Sequence, residues 1–154
     1  MSEATFSDEQ RRTLTALLDE IVPPSEDGRL PGAGAIGLAS RIDEALQDVP
    51  PMRAMIEAGL AALDEAARRA GAADFASLAG AERLEAVDAL SEPHPGVLPT
   101  LIFHTYTGYY LDPQVVEGLG LEARPPHPKG YEMEPNDLGL LDRVRDRGPL
   151  YREP

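Results

Sequence analysis

The chain has 154 residues, no cysteine and a formal net charge of −13, a length suited to one domain that buries roughly two-thirds of its unfolded surface. Missing cysteines exclude disulfides, thiolate catalysis and thiolate metal sites. Residues 1–123 hold 8 Lys or Arg against 21 Asp or Glu, and residues 124–154 hold 6 of each, so the acidic field repels nucleic-acid phosphates and anionic lipid and favours a neutral or basic protein partner.

Ser7 and Gln10 stand at capping-box spacing, and Leu14, Leu17, Leu18 and Ile21 recur at helical intervals, which predicts a first helix over about 8–22. Arg11 and Arg12 lead into TLTALLDEIVPP, where Asp19 and Glu20 break any export-signal core, so this stretch reads as an amphipathic helix. Pro23 and Pro24 end it. A second helix is predicted over about 34–48, with Ile36, Leu38, Ile42 and Leu46 inward, followed by Pro50 and Pro51. Met52, Met55, Ile56, Leu60 and Leu63 stripe a third helix that Gly71 terminates, the two methionines reading as core.

Phe75 and Leu78 form a short anchored turn, and Leu84, Val87 and Leu90 mark a fourth helix. The fifth, within 95–111, is apolar on most sides and is expected at the centre of the fold. Asp112 and Pro113 make an N-cap and N1 pair for a short helix ending near Gly118. Asn136, with Leu138, Leu140, Leu141 and Val144, begins the last helix. No segment alternates with period two, so the expected class is all-α: about five main helices plus short ones in a single domain. Its parts are a helical body over 1–117, a Pro- and Gly-rich structured loop over 118–135, and a C-terminal helix and tail over 136–154.

Candidate chemistry is sparse. Gly32, Gly34 and Gly37 spell GxGxxG, but PPSEDGRLP before them cannot be the buried strand a dinucleotide site needs, so a glycine-rich helix entry is expected. His94, His104 and His127 lack paired-ligand spacing; His94 is read as a helix cap and His104 as a core or interface residue. The many carboxylates read as solvated helix faces, with no acid and base pair among them. No catalytic residue, cofactor or metal is assigned to this chain.

Five of its eight aromatic residues fall between Phe103 and Tyr131, with Tyr106, Tyr109 and Tyr110 at i, i+3 and i+4. A loop over 118–135 is longer than a compact domain usually leaves structureless, so it is expected to be packed or functional. The tyrosines are read first as core residues whose phenols bond the proline-rich loop; in the sharper reading, Tyr109, Tyr110, Pro125, Pro126, His127, Lys129, Gly130 and Tyr131 are the expected partner-binding residues. Tyrosine, proline and glycine are cheaper to desolvate than dense carboxylates, and their rigidity limits the entropy lost on docking.

The stretches LLDEIVPPSEDGRLPGAGAIGLASRIDEAL, FASLAGAERLEAVDAL and TGYYLDPQVVEGLGLEARPPHPKGY, in this order and spacing, resemble the gluconate 2-dehydrogenase subunit 3 family. The resemblance implies a small helical, non-catalytic subunit that binds and stabilises a large FAD-containing dehydrogenase of the glucose-methanol-choline type, acting on sugars, glycosides or polyols. FAD is then expected in the partner. Many members begin with a twin-arginine signal, whereas this chain begins MSEATFSDEQ; a cytoplasmic location is expected, a periplasmic one if the N-terminus was trimmed. The alternative from another class is an independent small helical ligand-binding protein or enzyme using His104 and the neighbouring tyrosines.

Overall fold

The structure, a computed structural model, describes residues 5–123 and 137–147. The chain divides into two units, Met1–Ala123 and Arg124–Pro154. The described residues are helical and contain no strand.

In the first unit, α1 (Asp8–Ile21) starts at the predicted capping box: Gln10 N–H donates to Ser7 Oγ at 3.2 Å and Ser7 N–H donates to Gln10 Oε1 at 2.8 Å. Asp8 and Glu9 add negative charge at the positive end of the helix. Leu14, Leu17 and Leu18 are fully buried. This helix, not the fifth, holds the centre: it touches α2 (Leu38–Ala45), α3 (Pro50–Arg69), α5 (Val97–Tyr109) and two short 3-10 turns, Ala33–Ile36 and Phe75–Ser77.

The predicted second helix is broken in two. Gly37 takes φ +73°, a left-handed conformation that no α-helix continues through, so a 3-10 turn precedes it and α2 follows. Leu38, Ile42 and Leu46 nevertheless point into the core as expected, with Ile36 partly buried. Pro50 and Pro51 occupy the first turn of α3, where no intrahelical donor is lost. Its other end is a Schellman cap: Gly71 has φ +89°, its N–H donates to Arg68 O, and Ala72 N–H donates to Ala67 O. Met52 and Met55 are half-buried and pack against the core.

Helix α4 (Gly80–Leu90) corrects the expected inward set. Leu90 is buried and Val87 half-buried, but Leu84 is 54% exposed. Arg83 takes the inward position instead, its guanidinium donating to Leu78 O at 3.0 Å and Ala76 O at 2.9 Å and pairing with Glu20 at 3.0 Å. One residue further on, Leu84 is rotated away by about 100°.

Helix α5 buries only one stripe, Val97, Leu101, Thr105 and Tyr109. Its backbone comes close to α3, because a Cβ on Gly59 would lie 2.8 Å from Val97 Cγ1. The opposite face is open, and α1 rather than this helix holds the central place expected of it. Helix α6 (Pro113–Gly118) forms where predicted, with Asp112 Oδ1 accepting from Gln114 N–H at 3.0 Å.

The second unit contains a 3-10 turn, Leu138–Leu141, and a four-residue helix α7, Asp142–Arg145. Asp137 caps the turn through Gly139 N–H at 2.9 Å. The expected start at Asn136 lies outside the described residues. Among the described residues, no helix is long and apolar enough to cross a membrane.

Candidate functional site

Two kinds of side chain invite a functional reading, the buried carboxylates and the exposed apolar face of α5. Asp43, Asp64, Asp74 and Asp112 are all buried, which corrects the expectation that the carboxylates lie on solvated faces. Each is committed to the fold. Asp43 accepts both contacts of Phe6 N–H at 3.1 Å, pairs with Arg11 at 3.2 Å and binds Arg53, whose guanidinium also sits 4.5 Å from the Phe6 ring centroid. Asp64 accepts from Thr13 Oγ1 at 2.7 Å and from Phe75 N–H at 3.1 Å, tying α3 to α1 and the adjoining turn.

Asp74 caps the Phe75–Ser77 turn and pairs with Arg12 at 2.9 Å. The Ser77 hydroxyl, with the Arg12 charge behind it, holds this carboxyl below its usual range against the opposing pull of burial. Asp112 divides its oxygens between the N-cap of α6 and Arg41, at 3.2 Å. None of the four stands ready as a general base. Among the described residues, no group of three His, Asp or Glu is placed to hold a metal ion.

Of the GxGxxG glycines, Gly32 and Gly34 serve packing and Gly37 the left-handed break before α2. Gly34 N–H donates to Asp19 Oδ1 at 2.8 Å, and a Cβ there would sit 2.5 Å from Thr15 O and 2.8 Å from Asp19 Oδ2. Gly34→Ala is therefore expected to destabilise the chain by about 1–3 kcal/mol through overpacking, read as an earlier thermal midpoint. An unchanged midpoint would show that the turn gives way freely and that the glycine has another purpose.

Of the expected partner residues, Tyr109 is in the core, 2% exposed, its hydroxyl donating to Pro31 O at 2.7 Å. Burial first, and the neighbouring Tyr110 second, push its phenol pKa above the ordinary value. Tyr110 is outside, stacked on Tyr106 with ring centroids 6.1 Å apart. Pro125, Pro126, His127, Lys129, Gly130 and Tyr131 lie outside the described residues. His94 sits just past α4, where its N–H donates to Leu90 O at 3.0 Å; half-buried His104 stands edge-on to Phe103 at 5.5 Å.

The solvent face of α5 carries Ile102, Phe103 and Tyr106, and runs on through Tyr110 and Leu111. Phe103 is 66% exposed and Leu111 65%. From Pro93 to Leu111 there is no Asp, Glu, Lys or Arg, in a chain otherwise rich in charge. Single exposed apolar residues are ordinary on a protein surface, but here five of them, three aromatic, fall within the ten uncharged residues from Ile102 to Leu111.

Comparison with known proteins gives a family. The family described as gluconate 2-dehydrogenase subunit 3 matches residues 8–123. The chain belongs to the gluconate 2-dehydrogenase subunit 3 family. No curated relative and no solved structure matches it.

The matched residues of this subunit 3 chain run from the first residue of α1 to the last residue of the first unit, so the whole of α5 lies within the family region. Beside α5 the subunit 3 surface dips into a groove of about 490 Å³, walled by Ala45, Val49 and Met52 on one side and by Pro99, Phe103 and His104 on the other. The sequence pattern places the aromatic cluster but shows neither the groove nor the outer face. The signal it does carry is the charge-free run from Pro93 to Leu111.

Proposed function

We propose that this subunit 3 chain is the non-catalytic small subunit of a dehydrogenase complex, binding and stabilising a large FAD-dependent subunit of the glucose-methanol-choline type that oxidises a sugar or glycoside. The observation that carries this reading is the uncharged apolar face of α5, which the first unit leaves exposed on a helix whose other stripe is buried. A lone soluble domain gains nothing from exposing Phe103, Tyr106, Tyr110 and Leu111 together, whereas a subunit recovers that area on assembly. Tyr110 belongs to this face, and Pro125, Pro126, His127, Lys129, Gly130 and Tyr131 are proposed as further partner-binding residues.

In this reading FAD resides in the large subunit. The chain's buried carboxylates and its glycine cluster are occupied in holding helices together, which supports a scaffolding role over a catalytic one.

Assemblies of this permanent kind often bury about 2,000 Å² or more in total. Co-expression with a large flavoprotein encoded beside it, followed by size-exclusion chromatography, is expected to give one peak holding both chains, with flavin absorbance absent from the small chain purified alone. Clean separation at micromolar concentration would overturn the proposal.

A further inference from the structure

Resting on that subunit reading, we propose that the groove between α5 and the corner joining α2 to α3 is a socket for apolar side chains of the large subunit, carried on a segment with Lys or Arg beside them. The walls are nonpolar: Ala45, Val49 and Met52 face Pro99 and Phe103, and only Thr100 and His104 add polar atoms. The helices that carry them also pack closely. Val97 closes on Gly59, where a Cβ would lie 2.8 Å from its Cγ1, and the start of α5 at Gly96 lies close to Met55 of α3. A preformed apolar slot loses little entropy when filled, which is what makes a central anchor residue effective.

Charge specifies the occupant's neighbours. No Lys or Arg occurs in 44–52 or in 93–111, the two stretches that form the groove. Glu44 and Asp48, exposed and without an ion-pair partner among the described residues, stand next in sequence to the wall residues Ala45 and Val49. An incoming segment with an apolar side chain in the slot and a cation close to Glu44 and Asp48 satisfies both features, whereas an acidic segment is repelled. His104 and Thr100 remain to hydrogen-bond its backbone.

The test measures affinity of the purified large subunit for full-length variants at low and high salt, with circular dichroism confirming that each variant is folded. Phe103→Ser removes the aromatic wall, 66% exposed in the free chain, and is expected to weaken binding about thirtyfold. The double variant Glu44→Lys, Asp48→Lys is expected to weaken it about tenfold at low salt and much less at high salt. Leu84→Ser, on the exposed side of α4, should change nothing. A photo-crosslinker at Val49 should capture a large-subunit peptide that has a large apolar residue with Lys or Arg nearby. If the wild-type chain binds tightly while Phe103→Ser and the double reversal both stay within twofold, or if the captured peptide is acidic, the socket is wrong and the subunit reading stands. If the wild-type chain does not bind the large subunit at all, the subunit reading fails first.

Discussion

Asp43→Ala is expected to destabilise the folded chain by about 3–5 kcal/mol, roughly 10 °C in Tm, because it strands a buried cation. Arg53 has a side chain only 8% exposed, and Asp43 neutralises it while also accepting Phe6 N–H and pairing with Arg11. Removing the carboxylate leaves Arg53 with Asp43 O at 3.1 Å, the face of Phe6 and a 3.3 Å contact to Glu57. Glu57 is more than one-third exposed, so its compensation is screened by water. Phe6, 2% exposed, loses the acceptor of its backbone donor at the same time.

Denaturant unfolding measures the loss, and the double variant Asp43→Ala, Arg53→Met separates its causes. Much of the single-variant penalty comes from the unpaired charge, so replacing both partners should recover a large part of it. A single variant within about 1 kcal/mol of wild type would mean that Glu57 takes over the guanidinium.

Local signals read correctly where the chain itself supplies the partner. Ser7 with Gln10, Asp112 with Pro113, and Gly71 beyond the third stripe each satisfy a helix end within a few residues, so spacing alone locates α1, α6 and the end of α3. Readings fail where the partner comes from elsewhere. Asp64 lies beside Leu63 and reads as one more charge until folding brings Thr13 from α1 and Phe75 N–H within reach. Leu84 looks inward by periodicity, but Arg83 wins that position because the carbonyls of Ala76 and Leu78 need a donor.

The misreading of α5 has a related cause. An apolar helix is assigned to the centre because periodicity registers hydrophobicity without saying what covers it. Here one stripe meets α1, α2 and α3, and the remainder faces outward. In a subunit both faces can be buried, one by folding and the other by assembly. Pattern alone cannot tell these apart, but the absence of charge from Pro93 to Leu111 is common to both burials and is legible in the amino-acid sequence itself. Tyr109 shows the same division at one residue: its place among the aromatics fits a bonded core phenol as well as a docking one, and its hydroxyl is held inside by Pro31 O.

Phe75→Ala is the second large effect expected, about 3–5 kcal/mol of destabilisation. Phe75 is fully buried in a three-residue turn that packs against both α1 and α3. That turn is too short to hold itself, and its register depends on the Asp74 cap and on Phe75 N–H bonding Asp64. Truncation opens a cavity between two helices whose approach is already fixed by the Thr13–Asp64 bond, so the surroundings cannot simply collapse to fill it. Because Phe75 touches no solvent, its loss should affect assembly only through the folded fraction. Apparent affinity for the large subunit would then fall by the fraction unfolded and return when excess large subunit draws the chain back to the folded state. Weakened binding with an unchanged unfolding midpoint would instead place Phe75 in the contact itself and overturn its assignment to the core.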